Sequence, residues 1–250
     1  MNAAYPYRLR LEHEGWAGLK LDRPGRRIRI DPALPVESDD IVILTAPYPE
    51  RLREIRKAAV TPDIVASADL LTALNGVVTH KPHPGSTALD GVTIELFPYA
   101  PPPITATDLL SKAQGAFTRP VRTLTRVLDR IREPEAEPQI LFLTFPDESR
   151  LVHLNLSLHQ DTDEPWLRAV QQRSAGAEWL LVDVPYGESD AVLKHLAGFD
   201  VQRIIFTDFT AEIRRELGRP PQLLTPTVDQ AVAQGMEGYV CVSQASFRFE

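Results

Sequence analysis

His80 and His83 are the closest pair of histidines in the chain, with the spacing of a ligand pair, in Thr79-His80-Lys81-Pro82-His83-Pro84-Gly85-Ser86. Imidazoles at such spacing suit zinc or a related divalent ion. The prolines around them instead make an exposed extended loop, and no third histidine lies nearby. His153 and His159 stand six residues apart on a predicted strand, hence on one face, among Leu151, Asn155 and Ser157. That mixed face fits a hydrogen-bonded structural role. Ser-His-Asp catalysis stays open, because its members need only meet in space. Tyr186-Gly187-Glu188-Ser189-Asp190 has the wrong order for a nucleophile elbow. Cys241, in the alternating segment Tyr239-Val240-Cys241-Val242-Ser243, reads as a small buried hydrophobe.

A different chemistry lies in Thr118-Arg119-Pro120-Val121-Arg122-Thr123-Leu124-Thr125-Arg126-Val127-Leu128-Asp129-Arg130-Ile131-Arg132. At ~100° per residue, Arg119, Arg122, Arg126 and Arg130 fall in one stripe opposite Val121, Leu124, Leu128 and Ile131. Four aligned guanidiniums suit a phosphate or an acidic partner. A docked helix with a merely solvated basic face explains them as well.

These groups are carried by strands and helices that alternate after a β-rich start. Segments 7–11, 16–22 and 27–30 are predicted strands, separated by His13-Glu14-Gly15 and Arg23-Pro24-Gly25. A buried strand follows at 41–45, then a helix at 49–58 with proline at its start. Strand 63–66 leads to a helix capped by Ser67 and running through Leu74, and 91–97 alternates as a half-buried strand. Segments 140–145 and 151–158 bracket Pro146-Asp147-Glu148-Ser149 as a hairpin. Helices at 165–174, 189–196 and 211–217 then alternate with strands at 179–184, 203–207 and from Gly238. Two β-rich halves, each followed by helices, fit a four-layer αββα sandwich of the α/β (α+β) class. A doubly wound sheet is the alternative, but the chain lacks a glycine-rich phosphate loop and opens with too many consecutive strands.

The composition suits a soluble globular domain. In 250 residues, 43% are apolar and 24% charged, enough for a sizeable core. A net charge of −7 argues against broad binding to nucleic acid or anionic membrane. One cysteine precludes an internal disulfide and suits a reducing, cytoplasmic setting. The first residues lack a signal pattern, and no run approaches ~18 apolar residues.

One stretch carries a family likeness. Arg29-Ile30-Asp31-Pro32 precedes the apolar run 41–44, which ends in Thr45-Ala46-Pro47-Tyr48-Pro49-Glu50-Arg51. This resembles the metallo-β-lactamase superfamily, in particular its ascorbate-phosphate-lactonase-like and phospholipase-D-like branch. There an I-D-P strand leads to a strand ending T-H-x-H-x-D-H. Ala46, Tyr48 and Arg51 stand at the three histidines, and Glu50 at the aspartate. Alanine offers no donor, tyrosine rarely serves, and arginine adds a fixed positive charge.

The likeness extends over roughly 200 residues, in the order the superfamily keeps. The strand 91–100 is similar to one whose final histidine would fall near Pro101. Asp161-Thr162 resembles the end of a G-D-T hairpin whose aspartate bridges two metals, with Ser157 the alternative register. Segment 178–187 resembles D-x-x-l-l-P-x-g, and Asp208 stands at the last histidine. Donors thus remain at Glu50, Asp161 and Asp208, where they suit a hard metal but equally suit helix starts.

The resemblance implies a single domain over 1–250, with a helical insertion at 101–139. It also implies a non-catalytic relative without metal, kept for binding a protein partner or small ligand, with a homo-oligomer also open. The alternative is a hydrolase of a phosphate or carboxylic ester that uses zinc or another divalent metal on a rearranged carboxylate-rich site. Tyr48, Arg51, Tyr99, Asp161 and Asp208 are expected to line its cleft.

Overall fold

Alternation decides the first sheet. In β1 (Leu9–Gly15) every second residue is buried, and β2 (Gly18–Arg23) and β3 (Arg26–Ile30) follow it as antiparallel neighbours. β1 therefore runs through His13-Glu14-Gly15, where the sequence suggests a turn. The computed structural model describes residues 9–15, 18–23, 26–33, 35–47, 52, 55, 59–74, 81–100, 136–208, 214–215, 222–241 and 246–249.

From β3 onward this sheet becomes parallel, through β4 (Asp40–Ile43), β5 (Asp63–Val65) and β6 (Lys81–His83). β4 is buried throughout, as a parallel strand covered on both faces must be. The short helix α1 (Ala68–Leu74) joins β5 to β6, and the Ser67 hydroxyl accepts from Leu70 N–H at 3.4 Å at its start. Lys81-Pro82-His83, expected as a loop, is an edge strand, the position in a sheet that tolerates proline. His83 Nε2 meets Asp63 Oδ1 at 2.9 Å; His80 lies outside the described residues.

The second sheet repeats the plan. β7 (Ser86–Leu89), β8 (Val92–Pro98), β9 (Gln139–Thr144) and β10 (Arg150–His153) are antiparallel. Parallel strands β11 (Ala177–Asp183), β12 (Val201–Thr207) and β13 (Glu237–Cys241) follow. Helices α2 (Glu164–Ser174), α3 (Ser189–Leu196) and α4 (Thr225–Ala233) make the crossovers. Finally β14 (Ser246–Phe249) returns to the first sheet beside β1. The orders are β14-β1-β2-β3-β4-β5-β6 and β13-β12-β11-β10-β9-β8-β7.

The buried side chains sort into three layers. Leu11, Leu21, Ile30 and Ile43 of the first sheet meet Leu143, Leu151, Leu181 and Ile205 of the second. Val42, Leu44 and Ile64 turn the other way, onto Leu70 and Leu74 of α1 and onto Leu52 and Ile55, which are helical. Phe142, Leu180, Val182 and Phe206 pack outward on Leu167, Val170, Val192, Leu196 and Ala231 of the other helices. Helix, sheet, sheet, helix is the expected four-layer αββα sandwich. The helix expected at 101–139 falls mainly outside the described residues, and by Gln139 the chain is already in β9.

Candidate functional site

Polar side chains collect where β3, β4, β10, β11, β12 and β13 end, the edge at which α/β architectures place their sites. Asp31 follows β3 in a left-handed conformation, with φ at 43°. It is held by its own N–H, which donates to Ile43 O at 2.8 Å. Its carboxylate accepts from Thr45 N–H at 3.0 Å and also from the Thr45 hydroxyl. Thr45 is fully buried, and its carbonyl accepts from Gln139 N–H at 2.7 Å, which joins this corner to the start of β9 in the other sheet.

The turn after β10 completes the seam. β10 stops at His153, so His153 and His159 do not share a strand. Asn155 adopts φ of 54°, a conformation that asparagine tolerates better than most residues. Its Nδ2 donates to Thr45 Oγ1 at 2.8 Å, and its carbonyl accepts from Asp183 N–H at 3.2 Å. His153 Nε2 lies 3.2 Å from Asp183 Oδ2, and both side chains are buried in the layer between the sheets. Cys241 sits in the same layer. Burial pushes its thiol up to about 12, the charge of Asp183 adds to this, and a hydrogen bond to the His13 backbone opposes it. The thiol is therefore protonated and inert at neutral pH.

The residues singled out in the sequence are distributed unevenly. Ala46 is buried at the strand end and brings no donor. Asp161 is exposed in the turn before α2; Asp163 is the residue that caps this helix, accepting from Trp166 N–H at 2.9 Å. Asp208 is buried beyond β12 and accepts from Gln222 N–H at 3.2 Å. Tyr99 is buried with its ring tilted against Trp166, at 6.4 Å between centroids. Tyr48, Glu50, Arg51, Pro101, Arg119, Arg122, Arg126 and Arg130 lie outside the described residues.

Sequence reasoning missed the partners that matter here. Asp31, Asn155 and the His153–Asp183 pair meet across long chain separations. The available signal was local: His153 and Asp183 each end an apolar strand, at the carboxyl edge.

A divalent metal needs several imidazole, thiolate or carboxylate donors at one point. Among the described residues no group of three or more His, Cys, Asp or Glu is placed to hold one. The residue that faces Thr45 is Asn155, a neutral amide already spent on a hydroxyl. Ala46 and Asn155 bring no anionic donor, and the Asp208 carboxylate accepts from Gln222 N–H.

No family model and no curated protein matches the chain. Solved structures do. Igni18, a metallo hydrolase from the archaeon Ignicoccus hospitalis, superposes at a TM-score of 0.62 and 12% identity, over 97% of this chain and 98% of that one. YhfI, a metallo-β-lactamase fold protein from Bacillus subtilis, matches at 0.55 and 10%, over 96% and 98%. A possible metal-dependent hydrolase from Veillonella parvula matches at 0.57 and 10%, over 97% and 99%. Identities this low speak for the fold alone. With its two mixed sheets and three core layers, the chain is a metallo-β-lactamase-fold αββα sandwich.

Proposed function

We propose that this chain is a non-catalytic member of the metallo-β-lactamase fold that keeps its strand-end site for binding. One observation carries this. Thr45, the residue just before the degenerate ligand string, is tied on one side to Asp31 and on the other to Asn155, through its amide and hydroxyl. An amide and a hydroxyl locked in that way have no donor charge to offer an ion. The string Ala46, Tyr48, Glu50, Arg51 supports the same conclusion from chemistry alone, because only Glu50 is an ordinary ligand. A carboxylate-only metal site gains nothing from the geometry, with Asp161 exposed and Asp208 buried against Gln222.

A small ligand is the occupant favoured over nucleic acid, given the net charge of −7, and the single buried thiol suits a cytoplasmic setting. No helix among the described residues is long and apolar enough to cross a membrane. The test is elemental analysis of protein purified without chelator, followed by hydrolase assays on simple phosphate and carboxylic esters with added zinc or manganese. Substoichiometric metal and no turnover are expected. Near-integral metal that is lost in Asp208→Asn would overturn the proposal.

A further inference from the structure

The outer strands of the two sheets are not alike. On one side the chain passes from β6, the edge of the first sheet, straight to β7, the edge of the second. An unpaired strand edge is a template for another strand, and proteins blunt it with lysine, proline or other charges. β6 carries Lys81 and Pro82, both exposed. At the opposite edges β13 carries Glu237 and β14 carries Arg248. β7 is Ser86-Thr87-Ala88-Leu89, with no charge and no proline, and Ser86 and Ala88 are exposed.

The hairpin fixes which backbone groups β7 offers. Asp90 and Gly91 have φ of 47° and 78°, as in a two-residue type I′ turn, so Leu89 and Val92 close the hairpin as a hydrogen-bonded pair. Such pairs alternate along an antiparallel ladder, so Thr87 also turns its N–H and C=O toward β8. Gly85, two residues earlier, does the same, its carbonyl accepting from Leu96 N–H at 2.7 Å. The N–H and C=O of Ser86 and Ala88 therefore point away from β8, where no described strand lies.

We propose that β7 is the pairing edge for a second copy of this chain, joined antiparallel across a two-fold axis at Thr87. In that register Ser86 of each copy stands opposite Ala88 of the other, and each such pair exchanges two backbone hydrogen bonds. Thr87 meets Thr87 between them, a favourable cross-strand combination. Neighbouring registers are poorer. Centring on Ser86 sets Ala88 against Pro84, which has no N–H, and centring on Ala88 sets Ser86 against Asp90, which has left the strand. Symmetry favours a second copy over a foreign strand. A two-fold contact sets a strand against itself, so β6, β13 or β14 would bring like charges together, whereas β7 brings none. The pairing also prolongs the antiparallel run β7-β8-β9-β10. A four-residue strand is too short to bury by itself the roughly 1,200 Å² of a standard interface, so the dimer is weak and concentration-dependent.

Sedimentation equilibrium of the full chain over about 5–500 µM should show monomer giving way to dimer, the range that suits an interface this small. Ala88→Lys places a charge at the free edge, and Ala88→Pro removes an outward N–H that β8 does not use. Both should stay monomeric throughout while keeping the parent's melting temperature at the lowest concentration. The lysine variant decides the matter if the proline variant fails to fold. Cross-linking reads the register. Cys241 is buried, so Thr87→Cys adds a thiol at the axis, where the two Cα atoms would lie about 4.5 Å apart and oxidation should give a covalent dimer. Ser86→Cys should not cross-link, since its two copies stand diagonally, beyond the ~7 Å that a disulfide spans. A parent that stays monomeric at the highest concentration would leave this edge to a strand of another protein and overturn the proposal. So would a dimer that survives Ala88→Lys, or Ser86→Cys cross-linking as readily as Thr87→Cys.

Discussion

Asn155 donates its side-chain amide to the Thr45 hydroxyl at 2.8 Å, across 110 residues of chain, and so ties the end of β10 in one sheet to the end of β4 in the other. Thr45 in turn donates to Asp31, so two residues that look unremarkable in the sequence hold a buried carboxylate in place.

The first prediction follows from that chain of bonds. Thr45→Val keeps the shape but removes a hydroxyl bonded to a charged acceptor, a loss of about 1.5–3 kcal/mol. Asn155→Ala removes a neutral bond and adds the cost of a left-handed alanine, together about 1.5–3.5 kcal/mol. The double variant should cost less than the sum, because the bond between the two residues is counted twice in the singles. Urea midpoints at constant m-value measure all three. Strict additivity would mean that the 2.8 Å contact contributes nothing to stability.

Much of the fold was readable from the chain, and the site much less so. The α3 boundaries and the β9–β10 hairpin follow from local pattern, with turn residues between apolar runs. β6, β7 and β14 escape because short, polar edge strands carry little alternation, and their pairing is decided by strands far away in sequence. α4 opens Thr225-Pro226-Thr227 and its apolar residues are only valine and alanine, so its helical period is faint. The predicted strand 151–158 is too long because Asn155 takes a left-handed turn that periodicity does not encode. The partners of Asp31, Asn155 and His153 lie too far along the chain for spacing to reveal them.

A second prediction concerns acid stability at the far edge of the first sheet. Asp63 meets Arg26 at 2.7 Å and His83 at 2.9 Å. Partial burial works against its ionisation, but His83, Lys81 and Arg26 outweigh this and hold the carboxyl below its ordinary 3.8. A depressed value in the folded state means that the unfolded chain binds the proton more readily. The stabilisation is therefore complete above about 4 and fades as pH falls through the folded value. Melting temperatures of the parent and Asp63→Asn should differ most from pH 5 upward and converge in stronger acid. A gap that stays constant down to pH 2.5 would contradict this. The effect should also shrink with added salt, because the group is partly solvated.

The third prediction tests how the strand-end corner is supported from behind. Gly18 opens β2, and a Cβ built there would lie 2.8 Å from Ala33 N and 3.0 Å from Asp31 O. Those atoms are backbone, so nothing flexible can yield. Gly18→Ala must push away the loop that carries Asp31, and with it the carboxylate that orders Thr45. Overpacking of this kind costs about 1–3 kcal/mol. Gly238→Ala is the matched control, since its Cβ would meet Phe206, Val228 and Ala231 at 3.5–3.7 Å, ordinary contact. The expected result is a clear fall in urea midpoint for Gly18→Ala and little change for Gly238→Ala. In Gly18→Ala, a following Thr45→Val should cost less than it does in the parent, because the Asp31–Thr45 bonds are already weakened. If Gly18→Ala is as stable as the parent and Thr45→Val costs the same in both backgrounds, the loop carrying Asp31 is not held by this close approach.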